Sequence, residues 1–95
     1  MDKDKERRKR EKVSCCVPLP FTILSMRGSE FQRTQSIGTI VDTCESGVEI
    51  LIDFPLMPGH VLQWDDIHRP GRLHIAVVRW SLEQDGAYRS GLMFI

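Results

Sequence analysis

The sequence predicts an all-β domain: a six-stranded antiparallel β-barrel preceded by a flexible basic arm. Short apolar runs rich in Val, Ile and Phe begin at Val13, Pro and Gly separate these runs, and no stretch of useful length has the periodicity of an amphipathic helix. A chain of 95 residues has the length of a single domain. We therefore expect an arm at residues 1–12 and a barrel with one core at residues 13–95.

The arm has an unusual charge pattern. After Met1 it contains no apolar side chain, and its seven basic and four acidic residues give it a net charge of +3. The whole chain has a net charge of zero, so residues 13–95 have a net charge of −3. Because the arm cannot dock on a core by burial, we expect it to be mobile without a ligand. A basic arm on an acidic body favours a small anionic ligand. A protein that binds nucleic acid is expected to have a basic surface on the folded domain itself.

Six strands are predicted from the apolar runs. They are Val17–Met26, Ser36–Thr43, Val48–Phe54, His60–Trp64, Arg72–Leu82 and Ala87–Ile95. Pro18 and Pro20 mark the first as an edge strand or a bent start, since proline cannot donate to a ladder. Asp85-Gly86 predicts a tight hairpin turn between the last two strands. Closing six short strands into a barrel removes the exposed edges that a flat sheet would have.

Alternation predicts which side chains form the core. In the third strand Val48, Ile50 and Ile52 share one face. Both faces of the fifth strand are largely apolar, which predicts a central strand. The large side chains expected in the core or at its rim are Trp64, Trp80, Met93 and Phe94.

Cysteine usage and motif content exclude several classes of protein. Cys15, Cys16 and Cys44 are odd in number and two are adjacent, which argues against a disulfide framework and favours a reducing cytoplasm. The charged N-terminus has no apolar h-region, so we expect no signal peptide. No purely apolar stretch is longer than 75–78, so we expect no membrane span. The three histidines lack metal-ligand spacing, and no nucleophile motif or Gly-rich phosphate loop occurs. We expect no metal, no cofactor and no catalysis.

Two clusters carry the functional prediction: the basic run at 7–12, and Asp42-Thr43-Cys44-Glu45-Ser46-Gly47 at the junction of the second and third strands. Together with Val78-Arg79-Trp80 and the stretch Tyr88-Arg89-Ser90-Gly91-Leu92-Met93-Phe94, they make the chain resemble a PilZ domain over nearly its whole length. The resemblance implies a bacterial second-messenger receptor that binds cyclic diguanylate and passes the event to an unidentified downstream protein. The family pattern is R-x-x-x-R on a flexible arm and D/N-x-S-x-x-G at a turn between barrel strands.

The resemblance also assigns the binding residues. The ligand-binding set that it implies is Arg7, Arg8, Lys12, Asp42, Cys44 and Gly47. Two of these depart from the pattern, because Lys12 replaces the second arginine and Cys44 replaces the serine. An ammonium keeps the charge of a guanidinium but lacks its two-pronged hydrogen bonding, and a thiol is a poorer hydrogen-bonding group than a hydroxyl.

The chemistry of these residue types suits such a ligand. A guanidinium donates two parallel hydrogen bonds to phosphate oxygens or to the O6/N7 edge of guanine. The resemblance implies that Asp42 can accept hydrogen bonds from guanine N–H groups and that Gly47, which lacks Cβ, lets the backbone approach the ligand. Alternatively, the arm is a solubilising tail, and Asp42 and Gly47 only shape a turn, with the glycine supplying a positive φ.

Two further functions remain open at this point. The departures at Lys12 and Cys44 suit a degenerate PilZ-like module that binds proteins and no nucleotide. Binding of single-stranded nucleic acid ranks last, since the body is acidic and offers few spare aromatics. A domain this short leaves apolar surface for a partner, so we expect a monomer or a ligand-dependent dimer.

Overall fold

The computed structural model of this chain describes residues 17–95, which form six strands. They are β1 (Val17–Arg27), β2 (Glu30–Cys44), β3 (Gly47–Ile52), β4 (Val61–Asp65), β5 (Leu73–Gln84) and β6 (Ala87–Phe94). All neighbours pair antiparallel, and the sheet closes into a barrel in the order β1-β2-β3-β6-β5-β4. The predicted all-β fold and six-stranded barrel are confirmed. The predicted arm lies outside the described residues.

Alternate side chains of the strands fill the barrel. Val48, Ile50 and Ile52 are buried, as their spacing predicts. Trp64 packs with Phe21 in this core, with ring centroids 5.2 Å apart. The other buried apolar side chains are Leu19, Ile23, Ile40, Leu56, Leu62, Ala76, Val78 and Leu92. The inner face of the sheet therefore supplies one continuous core.

The prolines of β1 lie where the strand has one neighbour. Residues 17–21 pair with β2 alone, and pairing with β4 begins at Thr22. The missing N–H groups of Pro18 and Pro20 are therefore tolerated there.

Residues 17–95 include no helix that is long and apolar enough to span a membrane.

The prediction for the second strand was wrong at its start. β2 begins at Glu30 rather than at Ser36, because Gly28 and Ser29 form a two-residue turn that pairs Arg27 with Glu30. Gly28 has a φ of 64°, which glycine adopts readily. Residues 30–37 pair with β1 only, since pairing with β3 begins at Gly38. This part of β2 is largely polar and exposed, so its sequence lacks the apolar alternation from which strands are predicted.

The expectation of a central fifth strand was also wrong, because a closed barrel has no central strand. Ala76 and Val78 of β5 are buried, whereas Leu73 and Ile75 face outward. The predicted turn between β5 and β6 is confirmed. Asp85 and Gly86 have φ values of 53° and 85°, as a type I′ hairpin turn requires.

Candidate functional site

The turn between β2 and β3 lies at one end of the barrel, as predicted. Cys44 pairs with Gly47 across the two-residue turn Glu45-Ser46. The carbonyl oxygen of Ser46 accepts a hydrogen bond from the N–H of Phe94 at 2.8 Å. This bond extends the β3–β6 ladder beyond Gly47, so the turn is fixed to β6.

Gly47 has a different role from the one expected of a turn glycine. Its φ is not positive, so the turn-shaping alternative was wrong on this point. A Cβ at this position would collide with the carbonyl oxygen of Leu92. Gly47 is therefore required by the close approach of β3 and β6 next to the turn.

Asp42 faces outward next to this turn. The β2–β3 register shifts between Ile40 and Asp42, and Asp42 then pairs with Glu49. Oδ1 of Asp42 accepts the N–H of Thr43 at 2.7 Å, which fixes the orientation of the carboxylate. Glu49 in turn pairs with Gly91 of β6, so the row continues across the sheet.

Trp80 ends this row on β5, and its position differs from the prediction. A register shift between Val78 and Trp80 leaves Arg79 as an extra residue and pairs Trp80 with Gly91. The irregularity turns Trp80 outward, so its side chain is 37% exposed rather than part of the core. A Cβ on Gly91 would collide with the indole. Gly91 therefore provides the space in which the indole lies.

These residues enclose a shallow depression of about 350 Å³ on the outer surface. Its lining residues are Asp42, Thr43, Cys44, Ser46, Gly47, Val48, Glu49, Arg79, Trp80, Gly91, Leu92 and Met93. The structure thus brings together three of the predicted site residues, Asp42, Cys44 and Gly47. The other three, Arg7, Arg8 and Lys12, lie outside the described residues.

Sequence reasoning missed Arg79, Trp80, Gly91 and Met93 as site residues. The motif Val78-Arg79-Trp80 contributed only to the family resemblance. Simple alternation puts Trp80 on the same face as Val78, which is why Trp80 was expected in the core. A bulge at Arg79 places Trp80 on the opposite face of the strand. No residue type in this stretch predicts a bulge.

The charges around the depression nearly cancel. Nε and Nη2 of Arg89 lie 2.9 and 2.8 Å from Oε1 of Glu49, so this carboxylate is already paired. Nη1 of Arg79 donates to Sδ of Met93 at 3.1 Å, which keeps one cation at the rim opposite Asp42. The described residues therefore provide stacking and hydrogen bonding without a net positive charge.

The Cys44 thiol is exposed at the edge of the depression. Its Sγ lies 3.4 Å from the hydroxyl oxygen of Ser46. Hydrogen bonding by the side chain and backbone of Ser46 lowers the pKa of this thiol from its ordinary value of 9.0. Cys44 is thus more readily ionised than an isolated cysteine.

The described chain begins beside the depression. Val17 pairs with Ile40, two residues before Asp42 on the same strand. The polypeptide therefore joins the barrel at the end that carries the β2–β3 turn. Four residues lie between Lys12 and Val17, so the Cα atoms of these two residues are at most roughly 17 Å apart when the chain is extended.

A second polar cluster lies at the same end of the barrel, where Asp66 and His74 line a cavity together with Thr43 and Val48. Nε2 of His74 lies 2.8 Å from Oδ2 of Asp66, and the His74 ring packs between Trp64 and Phe94. Oδ1 of Asp66 accepts the backbone N–H groups of His68 and Arg69. The hydrogen bond from His74 and those from the backbone lower the pKa of Asp66 from 3.8 to about 2.

Between residues 17 and 95, no three His, Cys, Asp or Glu side chains form a group that could hold a metal ion.

Comparison with protein-family models, with curated proteins and with solved structures finds no match to this chain.

Proposed function

We propose that this chain is a non-catalytic receptor module of the PilZ type that binds cyclic diguanylate in the depression beside the β2–β3 turn. The observation that carries the proposal is the meeting of the predicted turn residues with an outward-facing tryptophan, at the end of the barrel where β1 begins. In this proposal the module acts in a bacterial cytoplasm and passes ligand binding to a downstream protein.

The shape and lining of the depression suit part of a nucleotide. A volume of about 350 Å³ falls in the range of small-molecule pockets. The exposed indole of Trp80 provides an apolar ring on which a guanine stacks. Asp42, oriented by Thr43, supplies a carboxylate that accepts guanine N–H groups.

The charge balance supports a role for the basic arm. Cyclic diguanylate has two phosphates, whereas the charges around the depression nearly cancel. Arg7, Arg8 and Lys12 belong to the segment of net charge +3 and can supply the missing cations. The separation of at most roughly 17 Å between Lys12 and Val17 allows them to reach this end of the barrel.

Isothermal titration calorimetry of the full chain with cyclic diguanylate tests the proposal. We expect saturable heat that Arg8→Ala and Asp42→Ala abolish or greatly weaken. Lys3→Ala is the matched control, because it removes one positive charge from the arm outside the motif. An absence of heat from folded protein at high ligand concentration would refute the proposal.

A degenerate module that binds a protein and no nucleotide is the second candidate. The departures at Lys12 and Cys44 favour it, since each removes a directed hydrogen bond worth about 0.5–1.5 kcal/mol. The variant carrying both Lys12→Arg and Cys44→Ser separates the two functions. If the wild type binds cyclic diguanylate, the variant binds it more tightly, by up to roughly a hundredfold. Binding by the variant alone would establish the degenerate module.

A further inference from the structure

The outer face of the barrel on β4, β5 and β6 is apolar. Cross-strand pairing aligns Leu24, Val61, Val77 and Met93 in one row around the barrel. Each lies next to a buried residue on its own strand, so each side chain points outward. We call this row, together with its neighbours Leu73 and Ile75 on β5, the apolar outer face.

The exposed members of this face are large. Leu73 is 51% exposed, Ile75 is 37% exposed and Met93 is 39% exposed. The residue that pairs with Ile75 on β4 is Gln63, which is uncharged. An antiparallel sheet normally presents polar side chains to water on its outer face. A contiguous apolar surface at this position is typical of a protein interface, whose centre is depleted of charge.

The outward rows on the opposite side of the barrel contain more charged side chains. There the outward rows include Asp42 paired with Glu49, and Arg89 paired with Leu51. The ion pair between Glu49 and Arg89 lies on that surface. That side also exposes Ile37 and Leu51, but these lie on different strands and Leu51 pairs with Arg89, whereas Leu73, Ile75 and Val77 follow one another on the outer face of a single strand.

Charges at the two ends of the apolar outer face have opposite sign. Asp65 pairs with Leu73 at one end. Arg79 lies at the other end, where its hydrogen bond to Met93 holds the guanidinium over the strip. Consider a two-fold axis that lies in the plane of the interface and runs perpendicular to the strands. Rotation about this axis places one end of the apolar outer face of the second copy over the other end of the first. It brings Asp65 of one copy towards Arg79 of a second copy, as an isologous interface requires.

From this geometry we infer that the apolar outer face binds a second copy of this chain to form a two-fold dimer. Apolar contacts at the centre exclude water around Ile75 and Val77. The reciprocal Asp65–Arg79 pairs at the rim set the direction in which the two copies pack. The inference does not rest on the proposed function: Arg79 and Met93 also line the depression, but the dimer is expected to form without nucleotide.

Sedimentation velocity of the full chain over a concentration series, without nucleotide, tests the dimer. We expect a reversible monomer–dimer equilibrium that Ile75→Asp weakens at least about tenfold, because an unpaired carboxylate would be buried. Leu73→Asp is a second variant at a more exposed position. Leu82→Asp is the matched control, since Leu82 is 65% exposed on the same strand but beyond the apolar outer face. It should dimerise like the wild type, with circular dichroism confirming the fold of each variant.

A charge exchange tests the orientation of the two copies. Asp65→Arg should weaken the dimer, and adding Arg79→Asp to it should restore association, because the end charges are then opposite again. A folded wild type that stays monomeric at every concentration would overturn the inference. A dimer that persists in folded Ile75→Asp or Leu73→Asp would overturn it as well, by showing that the copies meet elsewhere.

Discussion

Trp80 lies against Gly91, its ladder partner on β6, and a Cβ at residue 91 would occupy the space of the indole. The bulge at Arg79 and the glycine act together. The bulge turns the tryptophan outward, and the glycine leaves space for the ring in the depression that Asp42 also lines. One local irregularity of β5 thus converts a predicted core residue into part of a candidate binding surface.

Removal of the indole should reduce ligand binding and spare the fold. For Trp80→Ala we expect the affinity for cyclic diguanylate to fall by about 1–3 kcal/mol, the contribution of one stacked base. Because Trp64 supplies the buried indole of the core, near-native circular dichroism is expected. Calorimetry makes the measurement, and Leu82→Ala is the control on the same strand. Equal affinity for Trp80→Ala and wild type would exclude Trp80 from the site.

Gly47→Ala should destabilise the barrel through packing. The new methyl group would meet the Leu92 carbonyl oxygen, so β3 and β6 would have to separate locally. We expect a loss of about 1–3 kcal/mol in the free energy of unfolding, measured by urea denaturation. Ser46→Ala, at the exposed neighbouring position, should change it by less than about 0.5 kcal/mol. Equal stability of the two variants would show that β3 and β6 adapt easily.

Bound ligand should protect the Cys44 thiol. This thiol lines the depression, and Ser46 lowers its pKa, so iodoacetamide should alkylate it readily. Mass spectrometry of the Cys44 peptide measures the rate. We expect cyclic diguanylate to slow the reaction, whereas guanosine monophosphate at the same concentration should not. Unchanged alkylation at saturating cyclic diguanylate would place the ligand elsewhere.

Asp66 should contribute to the acid sensitivity of folding. Its pKa is about 2 in the folded protein against 3.8 ordinarily, so the charged carboxylate favours the folded state above pH 3.8. This contribution falls as the pH drops through 3.8 towards 2. Denaturant titrations at a series of pH values should show a shallower decline for Asp66→Asn than for wild type. Parallel curves for the two proteins would contradict the role of the His74–Asp66 pair.

The barrel itself could be predicted from local patterns. Val48, Ile50 and Ile52 showed one buried face, and Asp85-Gly86 required positive φ values that a type I′ turn uses. These signals are local, since side-chain alternation and turn chemistry are both properties of neighbouring residues. The start of β2 was missed because its pairing with β1 beyond the barrel involves largely polar residues.

The candidate site was only half predictable. Asp42, Cys44 and Gly47 are close in sequence, so one motif identified them together. Trp80 and Gly91 reach the same place through the strand order β3-β6-β5, which brings the fifth strand within two strands of the turn. Local residue patterns predict neither that strand order nor the bulge at Arg79.

A heteronuclear NMR titration of the full chain with cyclic diguanylate tests the receptor proposal in one experiment, because it reports both binding and the location of the bound nucleotide. We expect saturable shifts in the backbone amides of 42–47, in the indole N–H of Trp80 and in the Nε–H signals of Arg7 and Arg8, while the indole N–H of Trp64 stays unchanged. A well-dispersed spectrum that does not respond to the nucleotide, or a response that leaves the β2–β3 turn unaffected, would contradict it.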